Sequence, residues 1–595
     1  MAFGNAANAA FGVARHGDAL DVESRLVALA RAGAPLRRAL ARIAGRLVAL
    51  RGWERLGFAR LRDYAVERAG ISGRALQELA QMDCALDGLP RLEAAFVAGR
   101  ISWTKARLVV RVATREDEEP WLALAQGLTA RALAREVREL DERARDLEQA
   151  ETDEDGEEED AREAVFVRCS PRVRAKWHRA RFLASRVEGR PVPPWAVAER
   201  VAAETLSAAP LDAPALHWLE AGDPEVRVRA TAASDAPAAA VAIRTRGAPA
   251  VNGCAPQGSG TVASSARNAP SNADPFTASL VAGLDAADAF ELDARLRRAL
   301  ALEQRLHATL GPLLLAVAEA RLYRGHGCES LGAFAREWLG MSPRKAEALV
   351  RLERACRLAP ALCDAYRAGR LSWAQAQQLV PLVLLEAASP WHAAWVTHAQ
   401  RVSVRRLDDD VAHALAHGAF EPPGPASQDP QTGARPRPCE TSGQFFFSAP
   451  RDVARLFRAT LATVQRRIER RNGRTSSESE ALEAMLEHAF ETWQLPTARL
   501  RPEHRVFERD HWQCTVPGCS SYRNLQDHHV QFRSAGGSDE LANRTTLCAW
   551  HHLRGVHAGT VRCLGRAPGR LRFELGVRRG RPPLVAYRSG DRLVS

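Results

Sequence analysis

The stretch NLQDHHVQFRSAGGSDELANRTTLCAWHH, residues 524–552, concentrates metal-binding side chains near the carboxyl end of the chain. It contains two adjacent histidines, a Gly-Gly pair, an asparagine and a Cys-x-x-His-His sequence. Imidazole and thiolate groups are the protein ligands that zinc and other transition metals prefer. The density of these groups predicts a metal site, and with it a small fold organised around a metal.

One set of four residues has the spacing of a structural zinc site. Cys514 and Cys519 enclose the turn sequence TVPG, and Cys548 and His551 are separated by two residues. Tetrahedral zinc takes Cys3His sets, in which the ligands arrive as two close pairs. The sequence therefore predicts a Zn²⁺ ion that holds this short segment together. A chance cluster of thiols is the alternative.

A second set remains once zinc has its four ligands. It consists of His528, His529, Asn543, His552 and His557. Histidine can take a proton from water near neutral pH, and a divalent cation can offset charge that develops on a leaving oxygen. An asparagine that accepts the other ring N–H of the base would fix its tautomer. The set is suited to phosphodiester hydrolysis, whereas exposed or packing histidines are the plainer interpretation.

Residues 501–560 resemble the HNH endonucleases, because zinc knuckles, His-His, Gly-Gly and Asn occur in the same order. Members of that family have a ββα-metal fold, in which the named His, Asn and His lie on a hairpin, a loop and a helix. The resemblance implies that His529 is the general base, that Asn543 is the central asparagine, and that His528 and His552 bind the catalytic cation. Four further residues match the zinc knuckles of the family: Cys514, Cys519, Cys548 and His551.

Two features depart from the family pattern. The Cys514-x4-Cys519 spacing is longer than the usual C-x2-C. His557 follows His552 by five residues, where relatives have a histidine four residues on, and in an α-helix this rotates it by about 100° from the expected face. If Gly555 ends the helix, the chain can bring His557 back to the site, so His557 is kept as a candidate ligand. Asp527 is an alternative to His528 as a ligand, although it lies one residue further from the base.

The rest of the chain contains a duplication. VAGRISWTKARLVV (97–110) recurs as RAGRLSWAQAQQLV (367–380), displaced by 270 residues, and the same displacement brings Gly57 onto Gly327. Apolar residues at i, i+3, i+4 and i+7 among Ala, Leu and Arg indicate helices. The sequence predicts a mainly α fold in which two duplicated helical modules precede a small zinc-containing ββα-metal HNH domain. The module resembles an N-terminal domain of unassigned function that precedes HNH domains in many bacterial proteins.

Each module contains a Gly-x-Ser sequence whose serine is suited to cap the following helix, in GISGRAL (70–76) and GMSPRKA (340–346). A helix-turn-helix would have this layout and would bring Arg344 and Lys345 close to DNA. An ordinary capped helical hairpin is the simpler interpretation.

Composition predicts how the chain is divided. Residues 228–276 are rich in Ala, Pro, Gly, Ser and Asn without periodicity, which is typical of a flexible linker. The acidic run 151–164 and the stretch 422–438 are expected to be loops. The predicted order is helical module 1 (20–207), linker (208–289), helical module 2 (290–494), HNH domain (495–560) and a basic β-rich tail (561–595), expected to be a hairpin.

The charge predicts a nucleic-acid partner. The chain has a formal charge of +12, and residues 495–595 hold 17 Arg and no Lys against 8 Asp and Glu. A basic region of this kind is typical of phosphate-backbone binding, although the chain has few lysines throughout and Arg is its usual cation. Arg533 and Arg544 flank the site and are candidate phosphate contacts, with ordinary surface arginine as the alternative. DNA is the expected partner, and RNA is not excluded.

No membrane partner is expected. The longest apolar run, LGPLLLAVA at 310–318, is shorter than the roughly 18 residues of a membrane helix. The amino terminus has no basic region followed by a sustained apolar stretch, so a cytoplasmic location with reduced thiols is expected. The oligomeric state is left open.

Two functions are compatible with these features. A metal-dependent DNA endonuclease would use one catalytic divalent cation, Mg²⁺ or another, in addition to the structural Zn²⁺. A non-catalytic, zinc-containing nucleic-acid-binding protein would need only the four knuckle residues and would have no use for His529, Asn543 and His552. Because these three are present, the sequence favours the enzyme.

Overall fold

A computed structural model of the chain describes residues 16–140, 162–215, 275–423, 443–493, 502–588 and 590–594. The prediction of a mainly α fold is confirmed, and the sheets are small and antiparallel. The stretches predicted as loops at 151–164 and 422–438 lie almost wholly outside the described residues. Among the described helices, none is long and apolar enough to cross a bilayer.

Helices make up most of the described structure. Up to residue 215 they are α1 (His16–Ala32), α2 (Ala34–Ala49), α3 (Gly52–Arg55), α4 (Leu61–Tyr64), α5 (Gly73–Asp87), α6 (Pro90–Val97), α7 (Trp103–Val109), α8 (Glu118–Gly127), α9 (130–140), α10 (Pro171–Glu188) and α11 (Pro194–Ala208). From residue 275 they are α12 (Pro275–Val281), α13 (Ala289–Glu319), α14 (Leu331–Trp338), α15 (Pro343–Leu358), α16 (Pro360–Arg367), α17 (Trp373–Val383), α18 (His392–Ala399), α19 (Val404–His417), α20 (Arg451–Asn472), α21 (Glu478–Thr492) and α22 (Pro502–Arg509).

Within the described ranges, eight strands form three antiparallel sheets. They are β1 (Arg162–Cys169), β2 (Gly443–Pro450), β3 (Leu525–His529), β4 (Arg544–Cys548), β5 (Val561–Arg566), β6 (Arg570–Leu575), β7 (Val585–Arg588) and β8 (Arg592–Leu593). β1 pairs with β2, β3 pairs with β4, and β5 to β8 form one sheet in chain order. The last four strands therefore make a sheet where the sequence predicted only a hairpin.

The chain folds as two compact units whose boundaries differ from those of the predicted modules. Unit 1 comprises residues 1–158, 274–439 and 500–595, and unit 2 comprises residues 159–273 and 440–499. The carboxyl-terminal part of each predicted module thus belongs to unit 2. The reason is strand pairing, because β1 comes from the first module and β2 from the second.

Unit 1 contains the same series of helices twice. α5 and α15, α6 and α16, and α7 and α17 begin at residues that differ by 270. Left-handed backbone recurs at the same displacement, since Gly57, Gly70 and Gly99 and their counterparts at 327, 340 and 369 have φ between 59° and 86°. The duplicated sequence thus corresponds to a duplicated backbone.

The two halves of unit 1 contact each other reciprocally. Glu67 accepts hydrogen bonds of 2.8 Å from two backbone amides at the start of α19, and Glu337 accepts bonds of 2.6 and 3.0 Å from two at the start of α9. Glu67 and Glu337 are themselves equivalent at the displacement of 270. A Cβ on Gly70 would meet Ser372 at 2.5 Å, and one on Gly340 would meet Ser102 at 2.4 Å. The halves are related like the subunits of a symmetric dimer.

The Gly-x-Ser sequences are helix caps. Ser72 accepts a hydrogen bond from the backbone N–H of Ala75 (3.1 Å), and Ser342 accepts one from that of Lys345 (3.3 Å). The Lys345 ammonium lies 3.3 Å from the centre of the Trp373 ring, and burial lowers its pKa to about 7. Lys345 is thus packed against protein and does not face DNA as a helix-turn-helix would require.

The predicted linker does not extend to residue 289. Residues 216–274 lie outside the described residues, but Pro275–Val281 is helical and a 3-10 turn follows at Leu284–Ala286. Leu280 and Leu284 are buried in the same hydrophobic core as α2. The extension of the linker to residue 289 is therefore wrong, because apolar burial orders its last part.

One hydrophobic core joins the helices to the carboxyl-terminal strands. Leu40, Leu47 and Leu56 of the first helices share it with Phe573 and Tyr587 of the last sheet. Val516, Cys519, Leu547 and Cys548 belong to the same cluster. The predicted tail is thus part of the core, and the Cys/His segment folds on a helical scaffold instead of standing alone.

Glu67 is expected to make stability depend on pH. Burial raises its pKa to about 7 from an ordinary 4.5, although the backbone N–H groups of Arg405 and Val404 oppose the rise. Between pH 4.5 and pH 7 Glu67 keeps a proton in the folded chain that it has lost in the unfolded chain. The contribution of Glu67 to the free energy of unfolding is therefore complete below pH 4.5 and falls as the pH rises through 7. Denaturant unfolding from pH 4.5 to 8 should show a loss of up to about 1.4 kcal/mol per pH unit from this group.

The variant Glu67→Gln should flatten this pH dependence. Glu347→Gln, which changes an exposed carboxylate on α15, is the matched control and should leave the profile as in the wild type. An identical pH profile for the wild type and Glu67→Gln would contradict the assignment.

Candidate metal centres

The Cys/His segment is a β-hairpin followed by a short helix. β3 and β4 pair antiparallel, with Leu525 opposite Cys548 and His529 opposite Arg544. After β4 the chain is helical from residue 549 and forms a π-helical turn at His551–Val556. Side chains alternate along a strand, so Gln526 and His528 share one face of β3, while Asp527 and His529 share the other.

Three histidines come together on the first of these faces. His528, His552 and His557 each offer a ring nitrogen, and these atoms lie within 4.8 Å of one another. The Nε2 atoms of His552 and His557 are 3.2 Å apart. His528 Nε2 is buried and makes no hydrogen bond with any described residue. A buried ring nitrogen without a partner, facing two other imidazoles, fits a metal ion as the missing partner.

A π-helical turn explains how His557 reaches the other two. The backbone N–H of His557 donates to the carbonyl oxygen of His552, five residues earlier, at 3.1 Å. A π turn closes over five residues instead of four, so it places i and i+5 one above the other. The five-residue spacing, which would turn His557 away in an α-helix, therefore suits the local backbone.

Gln526 orients His552. Its Oε1 lies 2.6 Å from His552 Nδ1, which donates to it and leaves Nε2 facing the cluster. A partner of this kind fixes the tautomer of a metal-binding histidine. Gln526 was not predicted from the sequence, although its position two residues before His528 on the same strand face was a signal.

Phe532 closes one side of the cluster. Its ring stacks on His557, with centroids 5.1 Å apart and planes at 8°, and meets His528 edge-on at 5.6 Å. Burial, followed by the neighbouring His552, His557 and His529, lowers the pKa of His528 to about 3. Burial and then His557 also lower the pKa of His552. Near neutral pH both rings are uncharged, which is the form that binds metals.

His529 lies on the opposite face of β3. Its Nε2 is 2.8 Å from Oδ1 of Asp539, and the same oxygen accepts a 3.0 Å bond from Nε of Arg533. Arg533 and then His529 hold the pKa of Asp539 below its ordinary value. Asp539, which sequence reasoning did not single out, is thus the group that orients His529.

Asn543 does not orient His529, contrary to the expectation. Its Nδ2 donates to the carbonyl oxygens of Gln531 (3.0 Å) and Ser538 (2.8 Å), and its Oδ1 accepts from the backbone N–H of Gln531 (2.8 Å). Asn543 therefore fastens the loop that connects β3 and β4. Gly537 lies in this loop, where a Cβ would meet the Gln531 carbonyl oxygen at 1.9 Å, which explains the need for glycine.

Asp527 and Arg544 form a structural ion pair. Their side chains are only 12% and 10% exposed and contact each other directly. The backbone carbonyl of Arg544 accepts a 2.7 Å bond from Arg509, which fixes the strand further. The Asp527 carboxylate is therefore engaged by Arg544 and is not placed to replace His528 as a metal ligand. Arg544 is buried in the same pair and is not an exposed phosphate contact. Arg533 is exposed, and its contact with phosphate stays a prediction.

The four knuckle residues also come together. Cys514, Cys519, Cys548 and His551 are all buried, and their ligand atoms lie within 4.8 Å of one another, so they could hold a metal ion such as zinc. His551 Nδ1 is 3.5 Å from Sγ of Cys514 and 3.4 Å from Sγ of Cys548. His551 Nε2 is 3.2 Å from the Gly57 carbonyl oxygen and donates to it, which leaves Nδ1 for a metal.

The chemistry of the thiols also fits a metal. Burial raises the pKa of Cys514 well above its ordinary value, whereas hydrogen bonds from the Cys514 and Cys548 thiols lower that of Cys519. A metal ion would bind the three buried sulfurs as thiolates and supply the positive charge that a thiolate needs away from water. The longer spacing between Cys514 and Cys519 is taken up by a turn in which Gly518 has φ of 73°.

Helices of unit 1 hold the knuckle in place. Asp63 accepts hydrogen bonds from the backbone N–H (3.2 Å) and the hydroxyl (2.6 Å) of Ser520, next to Cys519. Arg60 donates to the Ser521 hydroxyl at 3.1 Å. A Cβ on Gly57 would lie 2.8 Å from the backbone nitrogen of Gly576, so close backbone packing also requires glycine here. The Cys/His segment is thus anchored to the first helical half.

Comparison of the chain with protein-family models, with curated proteins and with solved structures found no match in any of the three. The resemblance of residues 501–560 to HNH endonucleases therefore stays a prediction that rests on the residues themselves.

Proposed function

We propose that this chain is a metal-dependent endonuclease of the HNH type that hydrolyses DNA phosphodiester bonds. The observation that carries the proposal is the convergence of His528, His552 and His557, in which the buried Nε2 of His528 has no hydrogen-bond partner among the described residues. Buried imidazoles that serve only packing would be expected to hydrogen-bond to protein or water. The three rings suit a divalent cation, and a nuclease needs one.

His528, His552 and His557 are the residues that would hold the catalytic cation, with Gln526 orienting His552. When bound, a divalent cation supplies positive charge that stabilises the leaving oxygen of a phosphodiester, and three imidazoles favour an ion such as Ni²⁺ or Zn²⁺ over Mg²⁺. The same chain would hold Zn²⁺ at Cys514, Cys519, Cys548 and His551 in a purely structural role, because all four positions are taken by protein and none is left for water.

His529 is the proposed general base. It takes a proton from a water molecule, which attacks phosphorus in line with the leaving 3′ oxygen, so the products carry 5′-phosphate and 3′-hydroxyl ends. Asp539 holds the His529 ring through Nε2, which leaves Nδ1 to accept the proton. As His529 becomes charged, the adjacent Asp539 carboxylate stabilises the imidazolium.

The basic surface is the proposed binding region for nucleic acid. Residues 495–595 carry a large excess of arginine, and Arg533 is 67% exposed beside His529. Arginines position a duplex through its phosphates without reading its sequence. A cytoplasmic location is part of the same proposal, since a DNA substrate and reduced knuckle thiols are both expected there.

A plasmid assay tests the proposal. Purified chain with supercoiled plasmid and added Mg²⁺, Mn²⁺ or Ni²⁺ should yield open-circular and linear DNA, and without added metal it should not. His413→Ala, which removes an exposed histidine of α19, is the control and should cleave like the wild type. Retarded but intact plasmid with every metal would instead support the non-catalytic binder, and cleavage of RNA alone would change the substrate class.

A further inference from the structure

Unit 2 contains a strand followed by two helices, twice. β1 leads into α10 and α11, and β2 leads into α20 and α21. The two strands pair antiparallel over eight residues each, and Phe166 lies opposite Phe446 near the middle. The copies thus pair as two subunits of a symmetric dimer would, although both belong to one chain.

The inner face of this two-stranded ribbon is packed. Val165 and Val167 of β1 and Phe445 and Phe447 of β2 are buried. Trp177 of α10 stacks on Phe445 with ring centroids 4.7 Å apart. The helices of unit 2 thus cover one face of the ribbon and hold it rigidly.

The outer face of the ribbon is exposed. It presents Ala164, Phe166 and Arg168 from β1, and Phe446 and Ser448 from β2. Phe166 and Phe446 are 61% and 64% exposed and stack on each other at 5.9 Å. Two large exposed aromatic rings on a rigid surface indicate a binding face, because such rings are normally buried.

Charge indicates what this face binds. The ribbon and the first helices of unit 2, residues 162–188 and 443–472, hold 15 Arg and Lys against 4 Asp and Glu. The second helices, 194–208 and 478–492, hold 1 against 7. Some of these cations are paired, such as Lys176 with Glu483 and Glu487, but 15 + 1 cations against 4 + 7 carboxylates leave a net positive charge in the elements that form and flank the ribbon, which complements a polyanion.

We propose that the ribbon of unit 2 binds in the major groove of duplex DNA. The groove is about 12 Å wide and accepts a two-stranded ribbon, whose strands are about 4.8 Å apart. Arg168 is suited to the acceptor edge of guanine, and Phe166 and Phe446 are suited to thymine methyl groups. Cations of α10 and α20 flank the groove and contact phosphates. The pseudo-two-fold axis of the ribbon matches the two-fold symmetry of a duplex.

A second copy of the chain is a poorer occupant of this face. Two ribbons placed face to face would bring together the Arg168 side chains of both copies, with the basic first helices behind them, and like charges across an interface are costly. Binding of DNA by unit 2 does not depend on hydrolysis, so it stands apart from the proposed nuclease activity and can be measured without it.

Fluorescence anisotropy tests the proposal. A labelled duplex of about 30 base pairs is titrated with the full chain, and no divalent cation is added. Arg168→Ala should weaken binding about tenfold, whereas Arg190→Ala should leave it unchanged. Arg190 lies beyond the far end of α10, roughly 27 Å along an 18-residue helix, and carries the same charge. Methyl green, which occupies the major groove, should displace the chain, and the minor-groove ligand netropsin should not.

The variant Ser448→Glu distinguishes a loss of DNA contacts from a loss of folding. It adds an exposed negative charge to the outer face and removes no packing, so it should weaken binding at least as much as Arg168→Ala, while Ser448→Ala should not. Equal affinities for Arg168→Ala, Ser448→Glu and the two controls would overturn the proposal. Self-association that Phe166→Ser with Phe446→Ser abolishes, while DNA affinity is unaffected, would assign the face to a second copy instead.

Discussion

Replacing His529 by alanine is expected to slow metal-dependent plasmid cleavage by about 10²–10⁴-fold, the usual contribution of a general base. The loss arises because the variant lacks the imidazole that would take a proton from water, and its neighbour Asp539 is held in an ion pair with Arg533. Gel quantification of initial cleavage rates at saturating Mn²⁺ measures the effect.

Two further variants separate the roles within the site. His528→Ala should also slow cleavage and, unlike His529→Ala, should raise the concentration of Mn²⁺ needed for half-maximal rate, because this residue is a proposed ligand. Asp539→Asn should slow cleavage by a smaller factor, about tenfold or more, since it only orients the base. Undiminished cleavage by His529→Ala would remove the base from the mechanism, whatever the metal dependence shows.

Replacing Cys548 by serine is expected to remove bound zinc and to destabilise unit 1. Zinc sites in small peptides contribute roughly 10–16 kcal/mol of binding free energy, which is coupled to folding. In this chain the knuckle thiols share a hydrophobic core with Leu47 and Leu56 of the first helices, so the loss should extend beyond the hairpin. Elemental analysis of zinc, together with thermal unfolding, measures both consequences.

Cys84→Ser provides the control for this experiment. Cys84 is an exposed thiol of α5, so its replacement should leave zinc content and thermal unfolding unchanged. A Cys548→Ser protein with one equivalent of zinc and the melting temperature of the wild type would show that the four residues do not form the metal site. Loss of zinc with normal cleavage would separate the structural site from the catalytic one.

The proposed hydrolytic centre has a consequence for the reaction. The helical part of the chain is duplicated, but among the described residues the two Cys/His clusters occur once each, both in 514–557. A symmetric dimer of single-module chains would carry two hydrolytic centres, whereas the described part of this chain offers one cluster suited to that role. The proposed enzyme should therefore nick one strand per binding event.

Local sequence determined the fold class, the repeated helices and the Cys3His set of this protein. The helical period and the 270-residue displacement predicted a mainly α fold with repeated helices. The spacing of Cys514, Cys519, Cys548 and His551 predicted the set that the fold brings together. Such features depend on neighbours in sequence, because helix periodicity, capping serines and knuckle turns are set within a few residues.

Tertiary structure alone decided the rest, because the partners come from distant parts of the chain. Strand register placed Asp527 diagonally across from Arg544, and the ion pair between them removed both from their predicted roles. A π turn brought His557 to His528 and His552, which a regular α-helix would have prevented. Pairing of β1 with β2 built unit 2 from pieces almost 300 residues apart. Register, turn type and long-range pairing minimise buried unpaired charge and exposed apolar surface over the whole chain, so no local stretch could specify them.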